Sequence, residues 1–173
     1  FAADFDRHPY SPGHKRLIVS PETSRARLAE FISGAKRQLL IYDPGLTDDR
    51  MLRLITEKAA EGVDVKILGK VEAKWKLACW EKYPAGRLHV RAIVRDGQRA
   101  FVGSQSLRKL ELDKRREVGV VITDRDVVEQ IMGVFARDWA DTPSGKKAAR
   151  KTRKDLKKGK PLAPEQKLLA AAL

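Results

Sequence analysis

The stretch Leu88–Ser106, LHVRAIVRDGQRAFVGSQS, decides the fold. Two apolar runs are joined by Asp96-Gly97-Gln98, a pattern that predicts a β-hairpin. In the first run, the alternation of a strand places His89 and Arg91 on one face and the apolar residues on the other. These apolar residues are Leu88, Val90, Ala92 and Val94. We therefore expect an imidazole and a permanent cation side by side on a sheet.

The second run ends with Gly103 and Ser104, a small pair that lets a ligand approach the backbone. Glu117 begins the next β-rich run, EVGVVITD, and its carboxylate is a candidate partner for an imidazole nitrogen. A histidine, a cation, a hydroxyl group and a carboxylate are the groups that a phosphate-handling site uses. The hairpin and the run after it therefore predict such a site.

The sequence on either side of the hairpin alternates between strands and helices. Before it, the runs LIVS, QLLIYDP and VDVKILG are predicted strands separated by amphipathic helices, which is typical of right-handed βαβ crossovers and parallel strands. Three helix N-termini are predicted to be capped, the first by Ser24, the second by Asp48 or Thr47 and the third by Asp124. Residues 70–83 predict a further short amphipathic helix, whose aromatic residues we expect to pack onto the domain. The fold class is therefore α/β.

The hairpin resembles the HKD signature of the phospholipase D superfamily, which is histidine-x-lysine, four residues, aspartate, six residues, glycine-serine. Every spacing is kept, and the similarity to bacterial cardiolipin-synthase-like members extends from residue 17 to about 141. Two positions differ from the signature. Arg91 stands in place of lysine, and Ser106 stands where asparagine is usual.

The resemblance implies a mixed β-sheet flanked by helices in one phospholipase D-like domain, residues 17–143. Residues 1–16 form a leader or the end of a preceding half, since FAADFD at the start is similar to FARDWA in the last predicted helix. An arbitrary disordered start is the alternative. Residues 144–173 are rich in Lys and Arg and predict a disordered basic tail.

The resemblance also implies a two-step displacement at phosphorus in which two such motifs meet, with one histidine attacking and the other protonating the leaving alcohol. No metal or cofactor is implied. The implied catalytic residues are His89 and Glu117. The implied phosphate ligands are Arg91, Ser104 and Ser106, while Asp96 and Gly103 shape the motif. An Asp-Gly pair at a hairpin is first a turn former, so we expect a structural role for Asp96.

The charge and composition of the chain limit which partners and locations are possible. The formal net charge is +13, of which +8 lies beyond residue 143, so an anionic phospholipid surface and nucleic acid both fit. The single cysteine, Cys79, rules out an intrachain disulfide and favours a reducing compartment. No run of about 20 apolar residues is present. We expect a location in the cytoplasm or peripherally at the inner membrane.

Three functions remain open at this stage. The first is hydrolysis or transfer of phosphatidyl groups, with the second motif supplied by an upstream half. The second is a nuclease of the same superfamily that completes its site as a homodimer. The third is a half whose chemistry is weakened by Arg91 and Ser106 and which binds anionic surfaces.

Overall fold

A computed structural model describes residues 2–6, 8–11, 13–72, 74–75, 77 and 79–161 of the chain. They form one seven-stranded mixed sheet with helices on both faces. The strands are β1 (Leu17–Val19), β2 (Gln38–Leu46), β3 (Asp64–Val71), β4 (Trp80–Glu81), β5 (Ala92–Arg95), β6 (Arg99–Gly103) and β7 (Val118–Ile122). The helices are α1 (Ala2–Phe5), α2 (Ser24–Ser33), α3 (Asp49–Ala60), α4 (Lys109–Asp113), α5 (Arg125–Ala140) and α6 (Pro143–Lys157).

The strand order is β1-β7-β6-β5-β2-β3-β4. The pairs β2/β3 and β3/β4 are parallel, and each step from β1 through β7, β6 and β5 to β2 is antiparallel. The first three strands therefore run in the same direction, as predicted. β1 is nevertheless not a neighbour of β2, because three antiparallel strands lie between them.

Strand alternation divides the core into two layers. One face of the sheet carries Leu39, Ile41, Ile67, Ile93 and Phe101, which pack with buried residues of α2, α3 and α4. The other face carries Leu40, Tyr42, Ala92, Val94 and Ala100, which pack with Val128, Phe135 and Trp139 of α5. Complete burial of one large apolar side chain contributes about 1.5–3 kcal/mol, so these two layers supply the main driving force for folding.

Two of the three predicted helix caps are present. The Asp48 carboxylate accepts the N–H of Met51 at 3.1 Å, and the Asp124 carboxylate accepts N–H groups from the first turn of α5. The prediction for Ser24 is wrong, since it is the first residue of α2. Its hydroxyl group is buried and accepts the hydroxyl hydrogen of Ser20 at 2.6 Å. Buried polar pairing has replaced capping at this position.

The helix predicted over residues 70–83 is wrong. Its first residues complete β3, and Trp80–Glu81 forms β4, the short edge strand parallel to β3. Residues 73, 76 and 78 lie outside the described residues. The expected packing of the aromatic residues is confirmed, because Trp75 and Trp80 contact the first core cluster and Tyr83 contacts the second.

The prediction of disorder directly after residue 143 is also wrong. Thr142 caps α6 by accepting the N–H of Gly145 at 3.0 Å, and α6 continues to Lys157. Gly145, Ala149 and Thr152 are buried on one side of this helix, which packs against α5. Residues 162–173 of the predicted tail lie outside the described residues. Within the part of the chain that is described, no helix is long and apolar enough to cross a membrane.

Candidate active site

The register of the sheet brings the predicted site residues other than Asp96 to one edge. Tyr42 of β2 pairs with Ala92 of β5, and Ala92 pairs with Val102 of β6. The pairing continues one residue further, since the N–H of Gly103 donates to the carbonyl of Arg91 at 3.1 Å. Arg91 therefore lies between Asp43 and Gly103 in the row that closes this edge of the sheet.

Arg91 is half-buried and its guanidinium is oriented by two hydrogen bonds. Nε donates to the Ser106 hydroxyl at 3.1 Å, and Nη1 donates to the carbonyl of His89 at 2.9 Å. Ser106 itself is completely buried. The two fixed N–H groups hold the plane of the guanidinium and leave its other donors available for phosphate oxygens, which arginine binds in a planar, bidentate manner.

His89 is exposed at the same edge, next to Arg91. It precedes β5, which begins at Ala92, so the predicted first strand of the hairpin is shorter than expected. Val90, which the alternation placed on the apolar face, is 48% exposed, while Leu88 is buried in the second core cluster as expected. The imidazole of His89 is therefore accessible from solvent, as a nucleophile or proton donor has to be.

Ser104 follows β6 and its hydroxyl group is tied to the start of β7. The oxygen accepts the N–H of Val118 at 3.1 Å, and the hydroxyl donates to the carbonyl of Val118 at 3.3 Å. The second of these contacts is long for an O–H donor. Ser104 is exposed, so this donor could turn to a bound phosphate while the first hydrogen bond holds the oxygen in place.

Glu117 lies immediately before β7 and its side chain is 11% exposed. Its carboxylate forms an ion pair with Nε of Arg115 at 3.3 Å. The expected contact with His89 is not formed, since no hydrogen bond or ion pair joins the two side chains in the described structure. Arg115 is the competing partner, because its guanidinium is permanently charged and lies two residues before the carboxylate.

Gly103 ends β6, where the backbone of β7 and the side chains of Phe101 and Gln105 approach closely. A Cβ at this position would lie 2.4 Å from Oε1 of Gln105 and 2.8 Å from the Cα atom of Gly119 in β7. Gln105 is buried there and its amide group donates to the carbonyl of Ile18 at 3.2 Å. Glycine at position 103 therefore permits the packing under Ser104.

Asp96 lies at the opposite end of the hairpin from His89. Its backbone φ is +56°, and its carboxylate accepts N–H groups from Lys36, Arg37 and Gln38 at 2.7 to 3.1 Å. Burial alone would raise the pKa of Asp96, but these three N–H donors and the charge of Arg95 hold it below its ordinary value. Asp96 thus shapes the turn and joins it to the start of β2.

Sequence reasoning missed Asp43, a carboxylate that is 2% exposed at the end of β2. It accepts N–H groups from Gly45 at 2.8 Å and from Leu107 at 2.7 Å, and the Ser106 hydroxyl group lies close enough to lower its pKa. Burial raises the pKa of Asp43 in spite of these hydrogen bonds. The sequence signal was an aspartate directly after the apolar run QLLIY.

Residues 69–139 match the family model described as "Cardiolipin synthase, PLD-like domain". This segment contains His89, Arg91, Ser104, Ser106 and Glu117. The chain contains a phospholipase D-like domain. The family inferred from the motif spacing is thus confirmed, and no protein with a curated description matches the sequence.

Solved structures show the same fold for this phospholipase D-like domain. Nuc from Salmonella typhimurium, a phospholipase D family member, has a TM-score of 0.64 and 19% identity, covering 73% of this chain and 94% of Nuc. NucT from Helicobacter pylori has a TM-score of 0.61 and 18% identity, covering 73% of this chain and 95% of NucT. Polyphosphate kinase from Porphyromonas gingivalis has a TM-score of 0.62 and 15% identity, covering 79% of this chain and 24% of the kinase.

Among the described residues, no group of His, Cys, Asp and Glu side chains is arranged to hold a metal ion. What the phospholipase D-like domain does bring to its sheet edge is an exposed imidazole, an oriented guanidinium and an anchored hydroxyl group. These groups can bind a phosphate and exchange one proton or one covalent bond with it.

Proposed function

We propose that the domain hydrolyses or transfers the phosphatidyl groups of phospholipids, with His89 taking part in a phosphohistidine mechanism. The observation that carries the proposal is the exposed His89 beside Arg91, whose guanidinium is held by Ser106 and by the carbonyl of His89. The match to the domain of cardiolipin synthase supports the lipid substrate. Such an enzyme would work in the cytoplasm or at the surface of the inner membrane.

The proposed chemistry needs two histidines, because one imidazole cannot attack phosphorus and protonate the leaving alcohol in the same step. One imidazole nitrogen forms the N–P bond while the P–O bond to the alcohol breaks, and the other imidazolium gives the alcohol its proton. Water or an acceptor alcohol then passes its proton to that second imidazole and displaces the first from phosphorus. The second histidine belongs to another HKD motif, in a preceding half or in a second copy of the chain.

Arg91 and Ser104 serve the phosphate in this scheme. The non-bridging oxygens gain negative charge as phosphorus becomes five-coordinate, and fixed N–H and O–H donors stabilise that charge more in the transition state than in the ground state. Arg91 supplies a charged donor in a fixed plane. Ser104 supplies a hydroxyl group whose oxygen is anchored to β7.

Headgroup release from phosphatidylcholine or phosphatidylglycerol vesicles tests the proposal in a protein that contains both motifs. We expect His89→Asn to lower kcat by at least about 100-fold, the usual contribution of one acid-base group. His8→Asn is the matched control, since His8 is exposed in the leader outside the sheet. If His89→Asn keeps more than a tenth of the activity, His89 has no chemical role.

A substrate with a different leaving group distinguishes whether His89 acts as the general acid or as the nucleophile. A p-nitrophenyl ester needs no proton to depart, so an enzyme that lacks only its general acid should still release p-nitrophenolate. Rescue of His89→Asn by this substrate would assign His89 as the acid. Failure of rescue, together with activity in the control, would assign it as the nucleophile.

A second candidate function is cleavage of nucleic acid, which α6 favours. Seven Lys and Arg residues of this helix are exposed, and its only acidic residue is Asp155. A helix that lies in a membrane interface buries an apolar face in lipid, but the small side of α6 already packs against α5. A helix of this kind binds by charge alone, which suits the regular phosphates of a nucleic acid backbone.

Salt dependence tests this candidate. Replacing Lys147, Lys151 and Lys154 by Ala should reduce the slope of log K against log salt for duplex DNA by about 2.7, since each lost phosphate contact removes about 0.9. DNA cleavage that persists in the presence of EDTA and is lost in His89→Asn would support the nuclease over the phospholipid enzyme. Binding to anionic vesicles but not to DNA would exclude it.

A further inference from the structure

At the end of β2, the carboxylate of Asp43 is buried directly beside the proposed phosphate site. The pairing of β2 with β3 shifts between Asp43 and Leu46, so the strand bulges where it leaves the sheet. Gly69 of β3 lies against this bulge with φ +149°, and a Cβ there would lie 1.8 Å from the carbonyl oxygen of Asp43. Glycine at position 69 therefore permits the close approach that orients Asp43.

Every side-chain contact found for Asp43 lies in the bulge itself or in the segment after Ser104. Oδ1 accepts the N–H of Gly45 at 2.8 Å, and Oδ2 accepts the N–H of Leu107 at 2.7 Å. The Ser106 hydroxyl group lies close to the same carboxylate. The carbonyl of Leu107 in turn accepts the N–H of Asp48 at 3.0 Å, so this segment is held from both sides.

Ser106 transmits the orientation to Arg91. The carboxylate of Asp43 can only accept, so it is the acceptor available to the one hydrogen of the nearby Ser106 hydroxyl group. The hydroxyl oxygen then accepts Nε–H of Arg91 at 3.1 Å. The register of β2 and β5 places Asp43 opposite Arg91, yet the two charges are joined through the hydroxyl group, which is completely buried.

We infer that Asp43 is a positioning residue that fixes the guanidinium of Arg91 through Ser106 for contact with the phosphate. The inference rests on the proposed function for its consequence in catalysis. It accounts for both departures from the HKD signature, because they depend on each other. A lysine has no Nε–H at mid-chain to donate to residue 106, and a buried serine is short enough to fit between the guanidinium and the carboxylate.

A purely structural Asp43 would hold only the Ser106–Leu107 segment and would not affect Arg91. Asp43→Asn separates the two roles, since the amide keeps the size of the side chain but replaces one acceptor oxygen by a donor. Asp48→Asn is the matched control. Asp48 is also a buried carboxylate that caps a backbone N–H, and its side-chain partners are Arg25 and Met51 rather than the site.

The first experiment follows Nε–H of Arg91 by ¹⁵N NMR in the full chain, with the signal assigned by its loss in Arg91→Lys. We expect a resolved, slowly exchanging signal in the wild type and in Asp48→Asn. In Asp43→Asn it should move to the position of exposed arginines and exchange rapidly. An unchanged signal in a folded Asp43→Asn would overturn the inference. This readout needs no catalysis, so it stands even if the proposed reaction is wrong.

The second experiment measures inorganic phosphate binding in a double-mutant cycle. We expect Asp43→Asn to weaken binding about tenfold, which corresponds to about 1.4 kcal/mol, in the wild type and not at all in Arg91→Ala. Equal weakening in both backgrounds would overturn the inference. Ser106→Ala should reproduce the effect while keeping both backbone contacts of Asp43, and it replaces Asp43→Asn if that variant does not fold.

Discussion

Asp96 provides a sharp test of the reasoning, because it belongs to the HKD signature but lies at the far end of the hairpin from His89. Asp96→Asn keeps a residue that tolerates the positive φ of +56° and removes the charge. Three backbone N–H donors face the carboxylate. Charge-assisted hydrogen bonds contribute roughly 1.5–3 kcal/mol each when buried, and Asp96 is partly exposed. We therefore expect a loss of about 2 kcal/mol in the free energy of unfolding.

The pH dependence follows from the sign of the pKa shift. The pKa of Asp96 is below its ordinary value of 3.8 in the folded protein, so its stabilisation is fully present above that value. It is lost as the pH falls through the lowered pKa. The difference between wild type and Asp96→Asn should thus be constant from pH 5 to 7, an interval set by that ordinary value, and shrink on further acidification.

Urea unfolding followed by circular dichroism measures both effects, and Asp6→Asn is an exposed control. A loss of about 2 kcal/mol corresponds to a fall in Tm of about 4–8 °C for a domain of this size. Activity of the folded variant below its Tm should equal that of the wild type. If the variant had wild-type stability but reduced activity, the structural role would be refuted and Asp96 would be assigned a role in the active site.

Three further substitutions test the close approach of β2 and β3 and the ion pairs of Arg25. Gly69→Ala should lower the free energy of unfolding by about 3 kcal/mol, because its Cβ collides with the neighbouring strand, whereas Gly62→Ala, with open space and φ +89°, should cost only about 1 kcal/mol. Arg25→Lys should cost about 2 kcal/mol in thermal unfolding, since the guanidinium donates to both Asp48 and Asp113 at 2.6 to 3.0 Å and an ammonium cannot bridge them. Equal effects of the two glycine substitutions, or a neutral Arg25→Lys, would contradict the geometry.

Regular patterns made much of the fold predictable. The continuous apolar runs of β2, β5 and β6 are typical of strands in a sheet that is covered on both faces, and Asp48 and Asp124 have the side chains that cap a helix N-terminus. The spacing from His89 to Ser104 located one edge of the sheet, because a hairpin returns its ends to the same place.

Elements stabilised by tertiary contacts were not predictable in this way. The spacing of Trp75, Cys79, Trp80 and Tyr83 is roughly helical. Residues 79–81 nevertheless lie where the edge of β3 offers unpaired backbone groups, and they satisfy those groups. The basic sequence of α6 looks disordered because its few small residues carry little hydrophobic signal, yet Ala149 and Thr152 are enough to pack it against α5.

The candidate site shows the same limit. Sequence spacing predicted that His89, Arg91 and Ser104 lie at one edge of the sheet, but it did not predict which side chain orients which. Glu117 contacts Arg115 rather than His89, and Asp43 lies far from the motif in sequence while its carboxylate holds the segment after Ser104. Such contacts depend on strand register, which no single stretch of sequence contains.

The most direct test of the central claim is to trap the covalent intermediate. A protein with both motifs is mixed with a ³²P-labelled phosphodiester that has an ordinary alcohol as leaving group, and the reaction is quenched in base. The account predicts an acid-labile, base-stable label on histidine that is lost in His89→Asn, because either role of His89 is needed to form it. Turnover without any label, or a label and turnover unchanged by His89→Asn, would contradict it.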